Sequence, residues 1–165
     1  ETVFNKIKEE YFITTSRLFD NHDWPEGNYI ANFTVWGTYP RIIQKKTFYI
    51  PFKRDNNNTM RIVCHEMLHM LFFDYWGKNF RDKLSKELSW DFSEIINVIL
   101  LNLPEVNKFF KVEEKPFPNH IERYNYLKEI YPKCNSMKEF CEKSIIYLKE
   151  IGDKHQPLDW DDLAK

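Results

Sequence analysis

This chain lacks the features that would commit it to most special classes. No apolar run is long enough to span a bilayer; the longest, Ile95 to Leu103, is short and interrupted by Asn97 and Asn102. Neither sign of charge dominates. With 24 Lys and Arg against 25 Asp and Glu the net charge is −1, and no basic block stands out. A nucleic-acid surface, which rests on clustered cations meeting phosphates, is therefore not expected. The three cysteines, Cys64, Cys134 and Cys141, are odd in number and irregular in spacing, so they form no disulfide framework. On one helix Cys134 and Cys141 would lie two turns apart, beyond bridging distance. A reducing compartment follows as the expectation. The chain begins at Glu1 with neither an initiator Met nor a charged-then-apolar signal segment. We expect a cytoplasmic protein, trimmed or processed at its start, which leaves room for an anchor or signal lost upstream.

What is present is a single domain's worth of sequence, rich in rings. A chain of 165 residues can bury a core without disulfides or structural metals, and 14 Phe, 9 Tyr and 5 Trp point to a core or cleft lined by aromatics. The expected plan is one compact α+β domain. Residues 1–77 form a sheet with a buried helix, 78–151 form a helical half, and 152–165 form an irregular tail with acidic residues Asp159, Asp161 and Asp162 around Trp160.

In chain order, Thr2 to Phe19 reads as an amphipathic helix, broken by the turn residues from Asn21 to Gly27. Asn28 to Trp36, Arg41 to Gln44 and Thr47 to Phe52 read as two or three strands joined antiparallel by short turns, in a small antiparallel or mixed sheet. Pro51 has no N–H, so the last strand should lie at an edge or end there. Asn58 or Thr59 is expected to cap the next helix and Gly77 to stop it. The charged stretch from Lys78 to Glu87 reads as solvated. A second apolar helix, capped by Ser89 or Asp91, runs from Trp90 to Leu101 and should end by Pro104. Helical patterns then cover Glu105 to Phe110, Asn119 to Tyr131 and Ser136 to Ile151.

The stretch from Met60 to Phe73 is apolar on all sides, as in a helix buried within a protein, except at His65, Glu66 and His69. Burying these without partners would cost about 1–3 kcal/mol for each polar group and more for a charge, so something must meet them. Residues four apart lie about 40° from each other on a helix, so His65 and His69 can aim at one point, with Glu66 beside it. This is the H-E-x-x-H pattern, in which two His bind Zn²⁺ and the Glu is general base towards a water that the metal activates. The bland alternative is a pair of core histidines bonded to carbonyls, with Glu66 paired to a cation.

A catalytic zinc takes three protein ligands. Glu94 is the leading third candidate, because a carboxylate in an otherwise apolar helix also needs a cation; Glu87 and Asp74 are rivals by spacing. Cys64 reads as core. Metzincins need a glycine three residues and a histidine six residues after the second motif histidine, where this chain has Phe72 and Tyr75. The H-G-x-L-H-x-x-G-x-D-H proteins of RNA maturation share Leu68 and Asp74 but need glycine at Glu66 and histidine at Tyr75. Peptide deformylases need a Gly-rich segment with a Cys, which is lacking.

His65-Glu66-Met67-Leu68-His69 followed by a helical Glu94 resembles the gluzincin class of zincin metallopeptidases, and the compact order of strands, motif helix and further helices is most similar to the small soluble minigluzincins. The resemblance implies a zincin-like fold and a zinc-dependent endopeptidase acting on peptide or protein substrates. It implies one catalytic Zn²⁺ on His65, His69 and Glu94, with Glu66 as general base. Such enzymes usually add a second donor for the oxyanion; His120, Tyr124, Tyr126, Tyr147 and His155 are open candidates, with His120 preferred. Minigluzincins are held latent by their C-terminal segments. The competing expectation is thus a latent or inactive zincin-fold protein, a zymogen or binding module, with the tail in the cleft.

Overall fold

Asp55 starts the longest element of the protein. Its carboxylate accepts the Asn58 N–H at 2.9 Å, satisfying one of the free donors of the first turn of α2 (Asn56–Asn79). The cap therefore falls upstream of both expected residues, Asn58 and Thr59. The computed structural model describes residues 3–35, 40–52 and 55–152. Among these the protein is α+β, with six helices and one small three-stranded sheet.

Ahead of α2 come a short 3-10 turn (Val3–Lys6) and helix α1 (Lys8–Leu18), whose buried face carries Tyr11, Thr14 and Thr15. The strands are β1 (Ile30–Thr34), β2 (Arg41–Ile42) and β3 (Thr47–Pro51), in the order β1-β3-β2. Only β2 pairs with β3 antiparallel. β1 runs parallel to it, with Ile30 opposite Thr47 and Thr34 opposite Pro51, so the sheet is mixed, one of the two expected forms, and only the antiparallel joining of β1 is corrected. β3 does end at Pro51, but it is the central strand; the edges are β1 and the two-residue β2. The missing N–H of Pro51 is tolerated at the last position of a strand.

Beyond α2 lie α3 (Lys86–Leu101), the four-residue α4 (Pro104–Asn107), α5 (Ile121–Ile130) and α6 (Met137–Gly152). Ser85 caps α3 by accepting the Leu88 N–H at 3.1 Å, one turn before the expected Ser89 or Asp91, so the end of the charged stretch joins the helix. α3 stops at Leu101, and Pro104 opens α4, where a missing N–H costs nothing. α2 runs on past Gly77 to Asn79.

Phe48 and Ile50 of β3 pack on one side of α2, and α3 packs on another with Phe92, Ile95, Ile96, Leu100 and Leu101 wholly buried. Each such side chain contributes about 1.5–3 kcal/mol on leaving water, and this apolar mass holds the two long helices together. α5 covers α3, and α6 packs on α5. Asp20 ties the ends of the fold: its carboxylate accepts the N–H of Met137 and Lys138 at 2.8 and 2.9 Å, capping α6, and the Tyr75 hydroxyl at 2.7 Å. All three cysteines are free. No helix is long and apolar enough to cross a membrane, among the described residues. The acidic tail residues Asp159, Asp161 and Asp162 lie outside the described residues.

Candidate metal centre

The i, i+4 spacing on α2 brings the rings of His65 and His69 together, with their Nε2 atoms 3.0 Å apart. Glu94, from the middle of α3, meets both: Oε2 lies 3.2 Å from His65 Nε2 and Oε1 lies 3.5 Å from His69 Nε2. A tetrahedral zinc with bonds of about 2.0–2.1 Å holds its ligands about 3.3 Å apart; the two Nε2 atoms are near that separation, one Glu94 oxygen faces each histidine, and one ligand atom from each of the three residues lies within 4.8 Å of the others. The donor set, two imidazoles and a carboxylate, suits the same ion. Among the described residues neither His65 Nδ1 nor His69 Nδ1 has a hydrogen-bond partner, although both are buried.

The helices are pinned in this register from two directions. Asn97, one turn beyond Glu94, donates to the His65 carbonyl at 3.1 Å, and the Tyr11 hydroxyl of α1 donates to the Cys64 carbonyl at 2.7 Å. The His69 ring lies nearly parallel to those of Trp90 and Phe73, at 6.1 and 6.2 Å between centres, and these two rings are 6.0 Å from each other. Cys64 is fully buried in the core, as expected.

The cation facing the acidic groups is Arg41, from the edge strand β2. Its Nη1 donates to Glu66 Oε2 at 3.0 Å and its Nη2 donates to Glu94 Oε1, while the guanidinium lies 4.1 Å from the centre of the Trp90 ring. Nothing in the sequence pattern singled this arginine out. Glu114 was missed too: it pairs with Arg61, and its Oε1 lies 3.6 Å from His65 Nδ1. A lone Glu in a charged loop gives no periodic signal, and only the fold shows where it points.

Charge and burial set the protonation of the group. Burial pulls His69 down to about 3, assisted by the Arg41 charge, so this ring is neutral and able to ligate. Burial also works against protonating His65, but the carboxylates of Glu94, Glu66 and Glu114 outweigh it and move this ring up. Burial would raise Glu94; its contacts with His69 and His65 and the Arg41 charge hold it well below the ordinary carboxylate range. Glu66 is pushed up by burial despite the opposing Arg41 charge.

Comparison with protein-family models, with curated proteins and with solved structures returned no match to this chain. The site is therefore read from its own geometry.

His65, His69 and Glu94 are brought together, with Glu66 joined to them through Arg41. The rival ligands are placed elsewhere: Asp74 pairs with His22 and Lys78, each at 2.7 Å, and Glu87 sits in the first turn of α3, outside the group. His120 lies 3.3 Å from Asp91, which Arg123 also meets at 2.5 Å, and makes no hydrogen bond to the cluster. Tyr126 and Tyr147 stack on each other at 3.8 Å. Tyr124 lines a polar cavity of about 270 Å³ with Asn102, Asn107, Glu113 and Lys128, none of them cluster residues. His155 lies outside the described residues.

Proposed function

We propose that this protein is a zinc-dependent endopeptidase of the zincin type. The observation that carries the proposal is the convergence of His65, His69 and Glu94 at ligand spacing, with the buried carboxylate of Glu66 on the residue following the first histidine. A zinc ion held by those three residues would acidify a water molecule and polarise the carbonyl of a peptide substrate. Glu66 takes the proton from the attacking water and hands it to the leaving nitrogen. The upward push that burial gives its carboxyl brings it closer to the range in which a general base both accepts and returns a proton. Trp90 and Phe73 pack beside His69 and limit the turning of its ring.

The experiment is metal content together with activity on an unstructured protein substrate. Wild-type protein should hold one zinc, and Glu66→Gln should keep the metal while losing activity by about a hundredfold or more. Unchanged activity would remove Glu66 from the mechanism, and a zinc-free, inactive wild-type protein would remove the reading altogether.

A second reading is a latent or inactive zincin-fold protein. It is favoured by one contact, the ion pair between Arg41 and Glu66, because a carboxylate held on a guanidinium is a weaker base. Of the expected blocking tail, 152–165, only Gly152 is described, as the last residue of α6; the rest lies outside the described residues. Trimming the chain after Gly152 separates the readings: activity that rises on trimming supports tail latency, and activity that stays level rejects it.

A further inference from the structure

Arg41 occupies the position that a metal ion would contest. Its side chain is only 7% exposed and spans the ligand Glu94 and the base Glu66. The arrangement is incomplete as a permanent ion pair: the Nε–H of Arg41 is buried without a partner among the described residues, although a guanidinium offers five donors. The strand that carries it is slight, two residues at the sheet edge, paired to β3 among the described residues through Arg41 with Phe48 and Ile42 with Thr47. Two carboxylates facing one guanidinium leave the trio with a net charge of −1. Adding a divalent ion without moving Arg41 would place three positive charges against two negative ones in a nearly dry site, with both cations drawing on Glu94.

We propose that Arg41 is an internal stand-in for the metal: its guanidinium and a divalent ion are alternative occupants of the Glu66 and Glu94 carboxylates, so that loading the ion expels Arg41 and releases Glu66. This rests on the metal-site reading above. The metal-free protein then keeps its buried carboxylates neutralised, and the general base becomes available only once the ion has arrived. Trp90, whose ring lies under the guanidinium, is the surface from which Arg41 departs.

The test is zinc affinity by chelator competition on the full chain. Arg41→Gln removes the competing charge and should bind zinc at least roughly tenfold more tightly, the scale of a lost charge-assisted bond, with Arg41→Lys in between. Unchanged or weaker binding in Arg41→Gln would overturn the inference, because Arg41 would then be a buttress of Glu94. A second measurement needs no glutamine variant. The Arg41 Nε–H resonance of the wild-type protein, assigned by its loss in Arg41→Lys, should be protected from exchange without metal and exchange rapidly with zinc bound. Protection that persists in the zinc-loaded protein would also overturn it. His69→Ala tells the two failures apart: zinc binding that needs His69 but is not tightened by Arg41→Gln sinks only this inference. Binding that ignores His69, or no binding in any of the proteins, sinks both.

Discussion

Glu114 Oε1 stands 3.6 Å from His65 Nδ1, the ring nitrogen that Glu94 does not meet. The acid is held from both ends. Its N–H donates to Asn102 Oδ1 at 2.9 Å, its carbonyl accepts from Asn102 Nδ2 at 2.8 Å, and its other carboxylate oxygen is paired with Arg61, one turn before His65 on α2. A histidine that ligates through Nε2 must carry its proton on Nδ1, and a carboxylate there fixes that tautomer and the ring orientation. At 3.6 Å the contact is short of a hydrogen bond, so ring and acid need to close by about half an ångström. Glu114→Gln is expected to weaken zinc binding by about 10- to 100-fold, the opposite direction to Arg41→Gln. Chelator competition measures it, and unaltered affinity would deny Glu114 this positioning role.

Metal should also appear in the melting curve. Zinc at about 100 times its dissociation constant stabilises a native-only site by about 2.7 kcal/mol, or roughly 5–10 °C for a chain of this size. Chelation should reverse the shift, and His69→Ala should abolish it. In the absence of metal, Glu94→Ala leaves Arg41 buried with one carboxylate fewer and is expected to destabilise the protein by about 3 kcal/mol in urea unfolding. A variant as stable as wild type would mean that the buried pair is merely tolerated.

Much of the site was legible in the sequence because it rests on one-dimensional rules. His65 and His69 meet because of helical periodicity, and Glu94 was found because a carboxylate inside an apolar helix demands a cation. Arg41 and Glu114 obey no such rule. They reach the cluster through a sheet edge and a loop, 53 residues from Glu94 and 49 from His65 along the chain. The helices were likewise visible from their apolar pattern. The parallel pairing of β1 with β3 was not, because pattern fixes which face of a strand is buried but not the direction of its neighbour. The caps were each expected too far downstream, since several Asn, Asp and Ser residues compete for the position and only the path of the entering chain decides among them.

Gly77 shows how burial overrides a local signal. Read alone it is a stop, yet Tyr75, Trp76 and Phe80 are anchored in the core, and α2 continues through the glycine to Asn79. A Cβ at this position would meet nothing within 4 Å. Gly77→Ala is therefore expected to stabilise the protein by about 0.5–1 kcal/mol, through lower backbone entropy in the unfolded chain. Urea denaturation reads this directly. A destabilised variant would place Gly77 in a conformation that only glycine tolerates, and α2 would have to end before it.

Asp91 links α3, the helix that carries Glu94, to α5, and its contribution carries a pH signature. Burial would raise its carboxyl, but His120 and Arg123 outweigh burial and hold it below the ordinary value of 3.8. A group whose folded value is depressed adds stability above its unfolded value and loses it as pH falls through the folded one. The Asp91 contribution should thus be complete near neutrality and fade below about pH 3.8. Asp91→Asn is expected to cost about 1–2 kcal/mol near neutral pH, a modest figure because the carboxylate is partly solvated. The gap to wild type should close as the medium becomes acidic, because the wild-type carboxyl then also becomes neutral. Urea unfolding of both proteins across that range tests the sign, and a gap constant with pH would show that Asp91 acts through its shape and hydrogen bonds instead of its charge.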